Sequence, residues 1–345
     1  MVSLRPLQKA GFADVLDYGI FLFRKHFKSL LVINLIFNIP VMLVITILNP
    51  VFTEQYWNFI NPLDITAINP DEIFSSAITF YAMLFGSLLL QVIYFVTLKN
   101  VMEGSIVKIL YADVVLEQKK TVKQAVKECF RQFGTLFLGR MLYILIQGVV
   151  ITVLYIILIA GMFAISFGLV GLIASTYNTP WLALALSSLL ILIITVLVFF
   201  VLIAVGYYYG RFWMFLPAIC IEQQKAGSSI GRGGDLGRNG FYIIGLSFTF
   251  GYIMFLLFPT VISLVFNIVN TFSGNMDIEL FRISTVVTQL FSEILRPLLT
   301  CIMTALYITL RVKREGLDIE LNLWEIKQEE AEKNKRWFSE APNAE

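Results

Sequence analysis

The sequence predicts an all-α fold, a polytopic integral membrane helical bundle of about six transmembrane helices with amphipathic helices at the cytoplasmic interface. Three observations predict it. Apolar runs near 29–48, 76–98, 136–174, 181–205, 241–269 and 286–310 are each long enough for the roughly 20 residues that a helix needs to cross hydrocarbon. The 345-residue chain is 58% hydrophobic and only 14% charged, with a mean hydropathy of +0.79. A soluble domain carries about 25% charged residues, and one core of this size cannot hide so much apolar surface. Finally, the charges are one-sided. Segments 1–28, 99–135, 206–240 and 311–345, with Arg140 just inside its run, hold 24 of the 26 Lys and Arg.

That asymmetry sets the expected orientation. The alternate segments 49–75 and 175–180 have no basic residue, and 270–285 has only Arg282. Basic loops stay inside, so an even number of spans is expected, with both termini cytoplasmic. Residues 1–28 read as an N-terminal interfacial helix, 29–310 as the six-span domain and 311–345 as a charged cytoplasmic tail. The first apolar run ends at Asn49-Pro50 without a small-residue cleavage site, so it reads as a retained span. Asn-Pro pairs at 49–50, 61–62 and 69–70 predict turns in an outer loop, with Tyr56, Trp57 and Phe59 at headgroup level. The run 136–174 is too long for one perpendicular span. One long helix, bent at Gly161 or Gly168, and a span followed by an extra segment are both open.

Three segments lead into odd-numbered runs with a common layout, which predicts a three-fold pseudo-repeat of an interfacial helix and two spans. In the first, Phe12, Leu16, Ile20, Phe23 and Phe27 recur at helical spacing. In the second, Thr121 caps a helix whose stripe is Val122, Ala125, Val126, Cys129 and Phe133. The third, 226–241, is so rich in glycine that an irregular linker is expected; no strand precedes it and no Gly-Lys-Ser/Thr follows, as a phosphate loop requires. An arginine precedes an aromatic at each boundary: Arg24 and Phe27, Arg131 and Phe133, Arg238 and Phe241. With Arg211, in an aromatic belt of three tyrosines, these arginines are candidate lipid-headgroup contacts.

Polar groups inside apolar runs are costly and face a bundle interior or a cavity. Glu293 and Arg296 lie three residues apart on one helical face, just before Pro297. Asn34 and Asn38 share a face of the first run. These four are the candidate structural or ligand site. Arg140 is expected to snorkel to the cytoplasmic surface. The single histidine, His26, sits among Arg24, Lys25 and Lys28, and neither a zinc-spaced cysteine pair nor a Gly-x-Ser-x-Gly turn occurs. No catalytic, metal or cofactor site is therefore expected, and no cofactor. The three cysteines predict no extracellular disulfide. The partners expected are the lipid bilayer and a membrane protein, with no nucleic acid; the oligomeric state stays open.

The ending Leu306-Tyr307-x-x-Leu310-Arg311-x-x-Arg314-Glu315-Gly316-Leu317-Asp318 resembles a bacterial family of multi-spanning proteins. These are similar to the membrane domain attached to some glycerophosphoryl diester phosphodiesterases. The opening from Gly11 to Phe27 and the central Gly210-Arg211-Phe212-Trp213-Met214-Phe215-Leu216-Pro217-Ala218 are similar to that family as well, so the resemblance covers most of 10–322. The glycine-rich third segment departs from its usual helix with serine and tryptophan. The resemblance implies a bacterial plasma-membrane protein. The family's phosphodiesterase part is a separate soluble barrel, for which these spans leave no room. The functional expectation is a non-enzymatic integral membrane module that supports transport or organises partner proteins or lipids. A small-molecule or lipid transporter and a membrane enzyme acting on lipid headgroups are the alternatives.

Overall fold

The computed structural model describes residues 5–60, 70–175, 179–272 and 278–320, with Leu323 and Glu330. Among these residues the regular structure is all helical. A short 3₁₀ turn, Arg5–Lys9, leads into α1, Phe12–Ile60. Then come α2, Pro70–Val96, and α3, Leu98–Val114, separated by a break at Thr97. The amphipathic α4, Val122–Arg131, precedes α5, Phe133–Ser175. Next, α6, Pro180–Trp213, breaks at Met214 into α7, Phe215–Cys220. The chain continues through α8, Ala226–Gly237, and α9, Phe241–Phe272, and the last helix is α10, Ile278–Glu315.

Several boundaries differ from those the sequence predicts. Residues 12–28 and the first apolar run form one unbroken helix of 49 residues, about 74 Å at 1.5 Å per residue. The expected turn at Asn49-Pro50 is helical; the expectations for 61–69, and for the side chains of Tyr56, Trp57 and Phe59, lie outside what is described. The run 136–174 lies in one helix without a break at Gly161 or Gly168. The glycine-rich segment forms α8 instead of an irregular linker, because its missing side chains permit contact. A Cβ on Gly233 would lie 2.6 Å from the Arg211 carbonyl oxygen, and one on Gly237 would lie 2.5 Å from the Arg211 side chain. Packing at that distance offsets the weak intrinsic helix preference of glycine.

Five helical segments among the described residues are long and apolar enough to cross a membrane: Ala77–Val114, Phe133–Phe163, Leu184–Cys220, Phe241–Val269 and Ile283–Glu315. The run 29–48, within α1, extends past the side chains described. In the first four segments the most apolar stretch is only 6–12% buried, whereas in the last it is 78% buried. Large side chains such as Phe85, Phe167 and Leu184 are 71–74% exposed, as they are in helices whose second apolar phase is lipid. The protein is thus an all-α, polytopic bundle with several long apolar helices, as in a membrane protein.

The core gathers at one end. Met102, Ile106 and Leu110 of α3, Phe215 and Ile219 of α7, and Cys301, Ala305 and Ile308 of α10 are buried there. Around them pack the start of α1, through Val15, Leu22 and Leu30, and α4, through Ala125 and Cys129. Thr121 and Gln124 form a reciprocal capping box that starts α4. Both ends of the described chain meet at this base: Lys313 donates to the Ala10 carbonyl at 2.6 Å, and Gln8 to Asp318 at 2.7 Å. Away from the base the helices extend as arms with few buried residues.

Candidate functional site

Where the arms leave the base, five helices bring polar groups together. Asn34 and Asn38 of α1 face Glu293 and Arg296 of α10. Pro297 has no amide hydrogen, so the carbonyl of Glu293, four residues before it, loses its intrahelical donor. The Asn34 side-chain amide donates to that carbonyl. Asn38 donates to the Asn34 side chain and, at 2.6 Å, to the Glu293 carboxylate. Arg296 pairs with the other carboxylate oxygen at 2.5 Å. Tyr94, at the end of α2, donates its hydroxyl to Asn38. The four residues expected as a structural or ligand site are therefore brought together around one carboxylate.

A second ion pair adjoins the first. Arg140 of α5 donates to Glu103 of α3 at 2.6 Å, with 2% and 8% of the two side chains exposed. The expected snorkelling of Arg140 does not occur, because a buried carboxylate and the ring of Phe95, 4.7 Å away, hold the guanidinium inside. Lys99 lies 3.7 Å from the remaining Glu103 oxygen and 4.3 Å over the same ring. Sequence reasoning placed Lys99 and Glu103 in a cytoplasmic segment and missed them. The signal was there: the two are spaced i, i+4 and are followed by the apolar residues Ile106, Val107, Ile109 and Leu110.

Of these groups, Asn38, Tyr94, Lys99, Glu293 and Arg296 border a cavity of about 590 Å³. Asn38, Lys99, Glu293 and Arg296 form its polar side, while Val41, Leu88, Val92 and Ile144 form an apolar wall. Two side-chain amides from Gln91 and Gln289, each both donor and acceptor, join the ammonium, the guanidinium and the Glu293 carboxylate. The lining thus carries two cationic side chains, Lys99 and Arg296, and one carboxylate, Glu293. Among the described residues no three His, Cys, Asp or Glu side chains cluster as a metal site would need.

Of the arginines expected at headgroups, Arg24, Arg131 and Arg238 are exposed. Arg211 is half-buried and donates to the Gly234 carbonyl at 3.0 Å and to the Tyr207 hydroxyl at 3.2 Å, so α8 is what its guanidinium holds. Another network closes the base. Glu222, just after α7, accepts from Arg232 at 2.8 and 3.1 Å and from the Tyr307 hydroxyl. Arg232 also pairs with Glu315 at 2.5 Å, and Arg311 reaches Glu315 at 3.0 Å and Tyr111 at 3.1 Å. Burial pushes the Glu222 carboxyl up, but the Arg232 and Tyr307 hydrogen bonds outweigh it and hold its pKa below the usual carboxylate value. The ending read in the sequence thus has structural roles. Tyr307, Arg311 and Glu315 build this network, and Gly316 (φ +64°) ends α10 in the left-handed conformation.

Compared with protein-family models, with curated proteins and with solved structures, the chain matches none.

Proposed function

We propose that this chain is a non-enzymatic integral membrane module, with six spans and both termini in the cytoplasm, that organises lipids by holding one in the cavity at the base of its arms. The single observation that carries the reading is the cavity itself, with an apolar wall continuous with the exposed arms and a polar side of Lys99, Arg296 and Asn38. The adjacent chain ends at Lys313 and Ala10 support an even number of crossings, with the run in α1 added to the five segments. The basic residues at that end support its cytoplasmic placement. The order α4, α5, α6, α7 followed by α8, α9, α10 supports the pseudo-repeat. The terminal motifs support kinship with the bacterial membrane domains attached to phosphodiesterases, and hence a bacterial plasma membrane.

Transport of the same ligand class is the second reading. It is favoured by the fact that Glu293, Arg296 and Asn38 line the cavity as well as bonding to one another. The test is an experimental structure in lipid nanodiscs. Lipid density between α2 and α10 is expected in the wild type, and its loss in Val92→Trp, which fills the wall from a half-exposed position. A dry cavity in the wild type would reject the lipid-holding role.

A further inference from the structure

We infer that the cavity selects an anionic phospholipid, one whose phosphodiester carries no compensating amine; this rests on the lipid-holding reading above. The depth of the site is the first argument. Ile93, Leu290 and Phe291, just before the cluster on α2 and α10, are exposed, as are Leu142 and Leu145 just after Arg140. Toward the base, Met102 and Ile106 are fully buried. The cluster therefore lies at the edge of the apolar belt. On α6 that belt runs from Leu184 to Leu202, about 27 Å of helix, close to the roughly 30 Å of a hydrocarbon core. The edge nearest the chain ends is where headgroup phosphates sit.

Charge is the second argument. Three cations, Lys99, Arg140 and Arg296, share two carboxylates, Glu103 and Glu293. Both carboxylates have a short arginine partner, at 2.6 and 2.5 Å, and Lys99 has the longer contact at 3.7 Å. It is left as a surplus cation beside the cavity, with 21% of its side chain exposed; Arg296, with 28%, borders the same space. A cation in this setting favours an anion that completes its pairing. One phosphodiester between Lys99 and Arg296 supplies a single negative charge, and a headgroup amine would be repelled by the same cations. The acyl chain follows Val92 and Leu88 into the belt. Basic pockets between membrane helices on the cytoplasmic side recognise anionic headgroups in this way.

The test uses the full chain, purified in detergent and delipidated. Binding of phosphatidylglycerol and of phosphatidylcholine is read by native mass spectrometry, alongside inorganic phosphate as a competitor. The wild type is expected to prefer phosphatidylglycerol. Lys99→Gln should weaken that lipid by roughly tenfold, as loss of a charge-assisted contact does, and leave phosphatidylcholine unchanged; Lys99→Arg should restore the preference. A monodisperse Lys99→Gln protein that keeps the preference overturns the proposal, as does equal binding of the two lipids by the wild type. Competition by inorganic phosphate as strong as that by the lipid assigns the site to a free oxyanion and also overturns it. Val92→Trp separates the two readings. If it blocks both lipids while the wild type does not discriminate, only the anionic selectivity falls. If it blocks neither, the lipid-holding function falls with it.

Discussion

Arg140 and Glu103 meet at 2.6 Å inside the bundle, and Lys99 approaches the same carboxylate from the next turn of its own helix. One acid thus serves two cations. Removing a single partner from a buried pair costs about 3–5 kcal/mol because it leaves an orphan charge. Glu103→Ala strands two cations, whereas Arg140→Ala leaves Lys99 to hold the carboxylate. Glu103→Ala is therefore expected to lower the thermal midpoint in detergent more than Arg140→Ala. The reverse order would show that Lys99 takes no part in the pairing.

The helix crossings allow a contrast between glycines. A Cβ on Gly245 would lie 2.8 Å from the Ile203 carbonyl oxygen, while one on Gly161 would meet nothing within 4 Å. Gly245→Leu should force α9 away from α6, at an overpacking cost of about 1–3 kcal/mol. Gly161→Ala should be neutral or stabilising by up to about 1 kcal/mol, since alanine is the better helix former. Thermal unfolding of both variants checks this, and a damaging Gly161→Ala would mean that α5 needs a bend there.

Glu222 makes the base sensitive to acid. Its folded pKa lies below its ordinary value of 4.5. Its contribution is therefore complete above that value and is lost as the pH falls through and below it. The thermal midpoint of the wild type should drop in that window more steeply than that of Glu222→Gln. Parallel pH profiles for the two proteins would place the acid sensitivity elsewhere.

Topology can be mapped on the native background, because Cys129, Cys220 and Cys301 are free thiols and all buried. A membrane-impermeant maleimide is expected to leave the wild type unlabelled. Cysteine in place of the exposed Trp181 should react in intact cells, and cysteine at the exposed Lys119 or Leu323 only after permeabilisation. Labelling at Leu323 from outside would make the number of spans odd.

The helices and the Glu293–Arg296 pair were legible because both are local: apolar runs are read by length, and an i, i+3 pair by spacing. Asn34 and Asn38 were legible for the same reason, sharing one helical face. Their common partner was not, because it depends on how α1 crosses α10. The break at Thr97 sends α3 back into the core instead of out to solvent, so Lys99 and Glu103 read as cytoplasmic although Lys99 lines the cavity and Glu103 pairs with it. Gly206 and Gly245 carry no signal of their own as packing contacts. Only the pairing of α6 with α9, where a Cβ on Gly206 would approach both Thr249 and the Gly245 carbonyl, gives them meaning.

Of the five span-length segments among the described residues, the one in α10 is the most buried, and it follows the other four in the chain. While the earlier helices are being inserted, Ile106, Phe215 and Leu22 lack the central helix of their cluster, and the Glu222 carboxylate lacks the Tyr307 hydroxyl that α10 brings. Assembly of the base must then follow synthesis of nearly the whole membrane domain. Translation that halts before Ile278 leaves helices that can sit in lipid but lack the central helix of their base, a form for membrane quality control to clear.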